Sequence, residues 1–226
     1  MKNRLFILLA LIGTTLFASR NGVALKPFEG IITYKISYPG RNISESQKAV
    51  YPQVLKVMIR GMKSRVEYST PAGQVVIIMD FGSKTQITLL NFMGQKYALK
   101  ETADEIENAT TGKQKPTIQF TTETKLIAGF LCKKALINFP GDQDNTGYEI
   151  YYSHDLGGKL ANMFQPMYKE INGAMLDYAK KTPQGVTRFT ATSIERTNVS
   201  GKEFEIPSDY IMTTSQELKK KTGNTE

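Results

Sequence analysis

Apolar and polar residues alternate with a period of two along most of the chain. Over 30–38, Ile32, Tyr34, Ile36 and Tyr38 fall on one face and Thr33, Lys35 and Ser37 on the other. That period marks a strand with one buried face. Segments 54–60 and 63–69 flank Gly61-Met62, and segments 74–80 and 85–91 flank Phe81-Gly82-Ser83-Lys84, so each pair predicts a hairpin. A strand over 92–100 extends the meander. A second block has strands predicted over 117–126, 130–139, 148–153, 174–181, 186–195 and 203–206. Gly129, Gly141, Gly147 and Gly185 sit in its turns, where positive φ is wanted. The sum is about ten or eleven strands, joined mostly by short turns and therefore antiparallel to their neighbours. Strands do not alternate with helices, which disfavours a doubly wound fold. A sheet this wide should twist and curl.

Three segments interrupt the pattern. Residues 41–53 are polar, with a short helix expected near 44–49. Residues 101–115 read as an acidic, then polar connector holding a helical turn. Residues 156–168 differ: Leu156, Leu160, Met163, Phe164 and Met167 lie at spacings that place them on one face of a helix. Asp155 is placed to cap its start, and Pro166 to end or kink it. No internal repeat and no second domain is evident.

Several strands are apolar on both faces. Val75-Val76-Ile77-Ile78-Met79 has no polar face, and Val54, Leu55, Val57, Met58 and Ile59 occupy both sides of theirs, as do Ile87, Leu89, Leu90 and Phe92. A half-solvated antiparallel sheet would alternate cleanly, so the sheet centre must be covered twice. Helices or loops packed on each face would do this. So would an apolar cavity on one face, with the 156–167 helix as part of a lid.

The first residues carry a different signal. Lys2 and Arg4 precede an apolar run from Leu5 to Ala18, and Gly22-Val23-Ala24 follows as a small-x-small site. This is the pattern of a secretory signal peptide, cleaved after Ala24 or, as the alternative, after Ala18. The expected organisation is a signal peptide at 1–24, one antiparallel β domain at 25–212 and a polar tail at 213–226. Loss of Lys2, Arg4 and Arg20 would take the formal charge from +8 to +5, a mild excess that serves solubility. With no dense basic patch interleaved with aromatics, nucleic acid is not an expected partner. The single cysteine, Cys132, allows no internal disulfide and is far from the cleavage point, where a lipid-bearing cysteine would stand. The mature protein is therefore expected to be periplasmic or secreted, without a stable membrane span.

Candidate chemistry is sparse. The only histidine, His154, lies between Ser153 and Asp155, and neighbours in sequence do not surround an imidazole as a hydrolytic triad does. The segment from Asp142 to Gly147 begins like a calcium loop, but its twelfth position is Ser153, where a bidentate Glu is needed; it reads as an Asx-rich turn. One His and one Cys cannot build a zinc site. Gly157-Gly158 is too short for a phosphate cradle. No catalytic residue, metal or cofactor is expected, and an enzyme is disfavoured.

Five stretches occur in an order that resembles a known family. They are VMIRGMKSRVE at 57–67, Asp80 with ITLL at 87–90, GQKY at 94–97, GFLCKKA at 129–135 and FEIPSDY at 204–210. Together, from about Phe28 to Tyr210, they resemble exported bacterial proteins built on a domain of unknown function, a family similar in fold to the Lol-system lipoprotein carriers. The resemblance implies a curved, incomplete antiparallel barrel with short helices over its mouth. It brings no catalytic residues. The expected function is non-catalytic binding of a lipid or other hydrophobic ligand in the concavity. The alternative is an envelope protein-interaction or scaffold module with a solid core. The side chains expected to line the concavity are Ile77, Met79, Leu89, Phe120, Phe139, Met163, Phe164, Met167, Met175 and Phe189. The flexible thioethers among them suit a flexible tail.

Overall fold

The predicted alternation becomes one mainly-β sheet of twelve strands. β1 (Gly30–Ser37), β2 (Val54–Arg60), β3 (Lys63–Thr70), β4 (Gly73–Asp80), β5 (Thr85–Phe92) and β6 (Gln95–Thr102) form an antiparallel meander. β7 (Thr117–Ile127), β8 (Phe130–Asn138), β9 (Tyr148–Ser153), β10 (Ala174–Thr182) and β11 (Gly185–Arg196) form a second. β11 returns beside β1, with Ile32 opposite Ile194, and so fuses the two meanders. β12 (Ile211–Thr213) adds beside β6 in parallel. The sheet therefore runs from β12 to β7 without closing, an incomplete barrel with two free edges. This computed structural model describes residues 27–39, 44, 49–70, 73–92, 94–141, 147–182 and 185–222. The expected signal peptide, the turn residues 142–146 and most of the helix expected over 44–49 lie outside them.

Local chemistry explains the turns. Ala128 and Gly129 both have positive φ, +47° and +85°, between β7 and β8. Two such residues make the mirror-image turn whose twist matches the flanking strands. The connector after β6 holds α1 (Ala103–Asn108), closed by a capping box in which Thr102 and Glu105 satisfy each other's backbone N–H groups.

Two expectations need correction. The helix over 156–168 is not an α-helix but two 3-10 turns, Gly158–Asn162 and Pro166–Tyr168. Gly157 and Gly158 both have positive φ, +116° and +55°, so a right-handed helix cannot start at Asp155, and Gly157 stands at the cap with no side-chain bond. Pro166 separates the two turns because it has no N–H to donate. The strand expected over 203–206 is a 3-10 turn, Gly201–Phe204, begun by the Ser200 hydroxyl accepting from the Lys202 N–H. The polar segment beyond 213 contains α2 (Ser215–Thr222).

The doubly apolar strands are covered on both sides. On one face Met58, Val76, Ile78, Leu89 and Ala98 pack beneath Val199 and Phe204 of the returning chain. The opposite face turns inward, where Ile32, Tyr34, Ile36 and Leu55 join β8, β9 and β10 in the larger core. Cys132 is fully buried there, and burial pushes its thiol up to about 11, so it behaves as a small apolar group. Asp177, also buried, accepts two bonds from Arg188 at 2.7 and 2.9 Å and a third from the Thr190 hydroxyl at 3.1 Å.

An apolar cavity as the candidate functional site

The inward face of the sheet does not fill. It leaves a partly open cavity of about 960 Å³, near the upper end of the roughly 300–1,000 Å³ typical of ligand pockets. The period of two decides which side chains reach it. β1 contributes Ile32, Tyr34, Ile36 and, just beyond its end, Tyr38; β2 contributes Leu55, Val57 and Ile59. β3 contributes Ser64, Val66 and Tyr68; β4 contributes Ile77 and Met79. From the other side come Ala174, Met175, Tyr178 and Lys180 of β10 and Thr187 and Phe189 of β11.

The segment from His154 to Gly173, between β9 and β10, forms the lid. Leu156 is buried and Leu160, Ala161 and Phe164 line the cavity beside it. Phe164 reaches the turn between β4 and β5, where its ring packs on Phe81 at a centroid distance of 5.7 Å. Asn162 braces the lid against its own return to β10: its buried Nδ2 donates to the carbonyls of Ile171 at 2.8 Å and Gly173 at 2.9 Å. Gly173, at φ +148°, is where the lid re-enters β10, and a Cβ there would stand 2.3 Å from the Ser153 carbonyl oxygen. A further tie runs from the lid to α1 through the exposed pair Lys169–Glu107.

Buried tyrosines pack beneath the lid and tie it to the sheet. Tyr34 donates to the Met175 carbonyl at 3.1 Å, and Tyr168 donates to the Ala179 carbonyl at 2.5 Å. Tyr178 lies edge-on to both rings and stacks on Phe189 at 5.0 Å. Burial holds the hydroxyls of Tyr34, Tyr168 and Tyr178 well above the usual tyrosine range. One cation interrupts these walls. The Lys180 ammonium lies 5.9 Å from the Tyr178 ring centre and 5.8 Å from that of Phe189. Desolvation there pushes it down to about 8.

Of the ten side chains expected to line a concavity, Ile77, Met79, Phe164, Met175 and Phe189 do. Leu89 does not: it faces the opposite side of the sheet, against Met58 and Val76. Phe120 stands about half exposed on the edge strand β7, edge-on to Tyr152. Phe139 and Met167 pack against the larger core, Phe139 between Tyr148 and Tyr168. Met163 sits in the lid without bordering the cavity. The cavity residues not expected include Tyr34, Tyr178 and Lys180. The alternation of Ile32, Tyr34, Ile36 and Tyr38 marks one face of β1, but not that this face meets a void.

The polar residues near the lid do not assemble a nucleophile and base. His154 is exposed at the cavity rim, its Nδ1 3.1 Å from Asn172 Oδ1, while the Ser153 hydroxyl is buried with no hydrogen-bond partner among the described residues. Among the described residues no three His, Cys, Asp or Glu side chains cluster as a metal site would require. No described helix is long and apolar enough to cross a membrane.

No family model matches the chain, and no curated protein matches it. Among solved structures the chain is similar to PNGF-II in its P21 and C2 crystal forms, with TM-scores of 0.53 and 0.52 and identities of 15% and 16%. The similarity covers 87% and 86% of this chain but only 34% and 32% of the PNGF-II chains. The chain thus spans about a third of the length of those proteins, and at this identity the likeness is one of fold.

Proposed function

We propose that this chain is an exported, non-catalytic binding protein that holds a lipid or other hydrophobic ligand in the concavity of its curved sheet. The observation that carries this reading is the lidded, mostly apolar cavity of about 960 Å³. A well-packed interior has few voids larger than a water molecule, so a space of this size calls for an occupant. Each CH₂ moved from water into such a space is stabilised by about 0.8 kcal/mol, or roughly 12 kcal/mol for a sixteen-carbon chain before the costs of ordering it. The order of sequence stretches that resembles the relatives of the Lol-system carriers supports the same reading. A scaffold module with a solid core would have no need of the space.

The reading is tested by titrating the purified protein with the uncharged fluorophore N-phenyl-1-naphthylamine. The expected result is a saturable blue-shifted rise in fluorescence at one site, weakened when Met79→Trp narrows the space. No saturable rise from the folded protein refutes it.

A further inference from the structure

Lys180 distinguishes this cavity from a plain grease pocket. It lines the cavity, yet it makes no ion pair and no hydrogen bond among the described residues. Its neighbours are the faces of Tyr178 and Phe189. Such faces attract a cation weakly compared with an anion, and an ammonium held among apolar groups without a counter-ion is costly. A mere solubility lysine would lean outward to water. Although Lys180 keeps part of its surface exposed, burial still depresses its ammonium to about 8, so most of it stays protonated at neutral pH. Thr187 is its register partner on β11 and borders the same cavity, so the two side chains share one face of the sheet.

The position along the strand matters as much as the charge. Ala174 at the lid end of β10 and Lys180 near its other end both border the cavity. Six residues of strand span roughly 20 Å. One acyl chain covers about half of the roughly 30 Å hydrocarbon core of a bilayer, or about 15 Å. The cavity therefore offers one chain's length of apolar wall, ending at a cation with no ion pair among the described residues.

We propose that the ligand is a single-chain fatty acid, its carboxylate on Lys180 and Thr187 and its tail running toward Phe164 under the lid. This rests on the reading of the cavity as an apolar-ligand site, and specifies the head group. An uncharged lipid would leave the ammonium without a counter-ion.

The test displaces N-phenyl-1-naphthylamine from the full chain at pH 7 with myristate and, separately, with tetradecanol, which has the same chain and no charge. Wild type should prefer myristate by about tenfold, the scale of one charge-assisted hydrogen bond. Lys180→Met should weaken myristate by about tenfold and leave tetradecanol unchanged, while Lys180→Arg should keep the preference. Tetradecanol binding also reports that each variant is folded. Equal displacement by acid and alcohol in wild type, or an unchanged myristate affinity in Lys180→Met, overturns the head-group assignment and leaves the binding function standing. Failure of all three probes to bind wild type overturns both.

Discussion

The lid should depend on one side chain out of proportion to its size. Asn162 is 2% exposed, and its Nδ2 serves the carbonyls of both Ile171 and Gly173. Asn162→Ala removes both donors at once. A buried carbonyl left without a partner costs about 1–3 kcal/mol. Water entering from the cavity side would satisfy part of the deficit, so the net loss should be about 2–4 kcal/mol. Both carbonyls belong to the segment leading into β10, so the loss should appear first as opening of 154–173 rather than of the sheet. Asn162→Leu nearly restores the volume but donates nothing, and should be no better than alanine. Asn162→Asp turns an acceptor toward two acceptors, and should be worse. Urea denaturation gives the global loss, and amide exchange of lid peptides compared with β2 and β3 peptides gives its location. A loss below about 1 kcal/mol with unchanged lid exchange, or recovery by Asn162→Leu, would show that packing rather than the two hydrogen bonds holds the lid.

Two further outcomes follow from buried charge. Asp177 is enclosed whereas Arg188 keeps about a third of its side chain in water, so cutting their pair is asymmetric: Arg188→Met, which strands the carboxylate, should cost about 3 kcal/mol, and Asp177→Asn about 1; equal losses by denaturant unfolding would contradict this. Lys180 titrates near 8 when folded and near 10.5 when unfolded, so between those values the unfolded chain binds more protons and stability rises with pH. Cys132 and the buried tyrosines act in the opposite direction above about pH 9, so the measurement is the difference from Lys180→Met. Wild type should gain about 1–3 kcal/mol on that variant between pH 7.5 and 10, the lower figure reflecting the lysine's partial exposure; a flat difference would show that Lys180 titrates as in water.

Much of the sheet was legible because a strand with one buried face writes its period directly into the chain. β9 begins and ends where the pattern predicted, at Tyr148 and Ser153. Doubly apolar strands carried the further message that both faces are covered. What they could not carry was which face meets packed side chains and which meets a void. Ile78 and Ile77 are the same residue type one position apart, one against Leu89 and the returning chain, the other in the cavity. Leu89 is a third case, apolar like Ile77 but on the face packed against Met58 and Val76. Lys180 was illegible because a lysine near a strand end ordinarily reaches solvent, and only the tertiary position of Tyr178 and Phe189 reverses that. The lid misled differently. Its apolar spacing was helical, but two left-handed glycines and Pro166 overrode the spacing. β12 was invisible, since three residues carry no period and its partner β6 lies over a hundred positions back.

The seam between β1 and β11 has a consequence for how the chain reaches its native state. Ile32 must find Ile194, and Arg60 must find the Val199 carbonyl, before the two meanders share a sheet. Such partners are too far apart for local contacts to prepay their loop-closure entropy, which makes folding slow. The first meander is synthesised first, but its outer face stays uncovered until Val199 and Phe204 arrive. A growing chain is therefore an incomplete, sticky sheet until nearly its last thirty residues are available. It should need a holdase or prompt completion more than a protein of similar size built from neighbouring contacts.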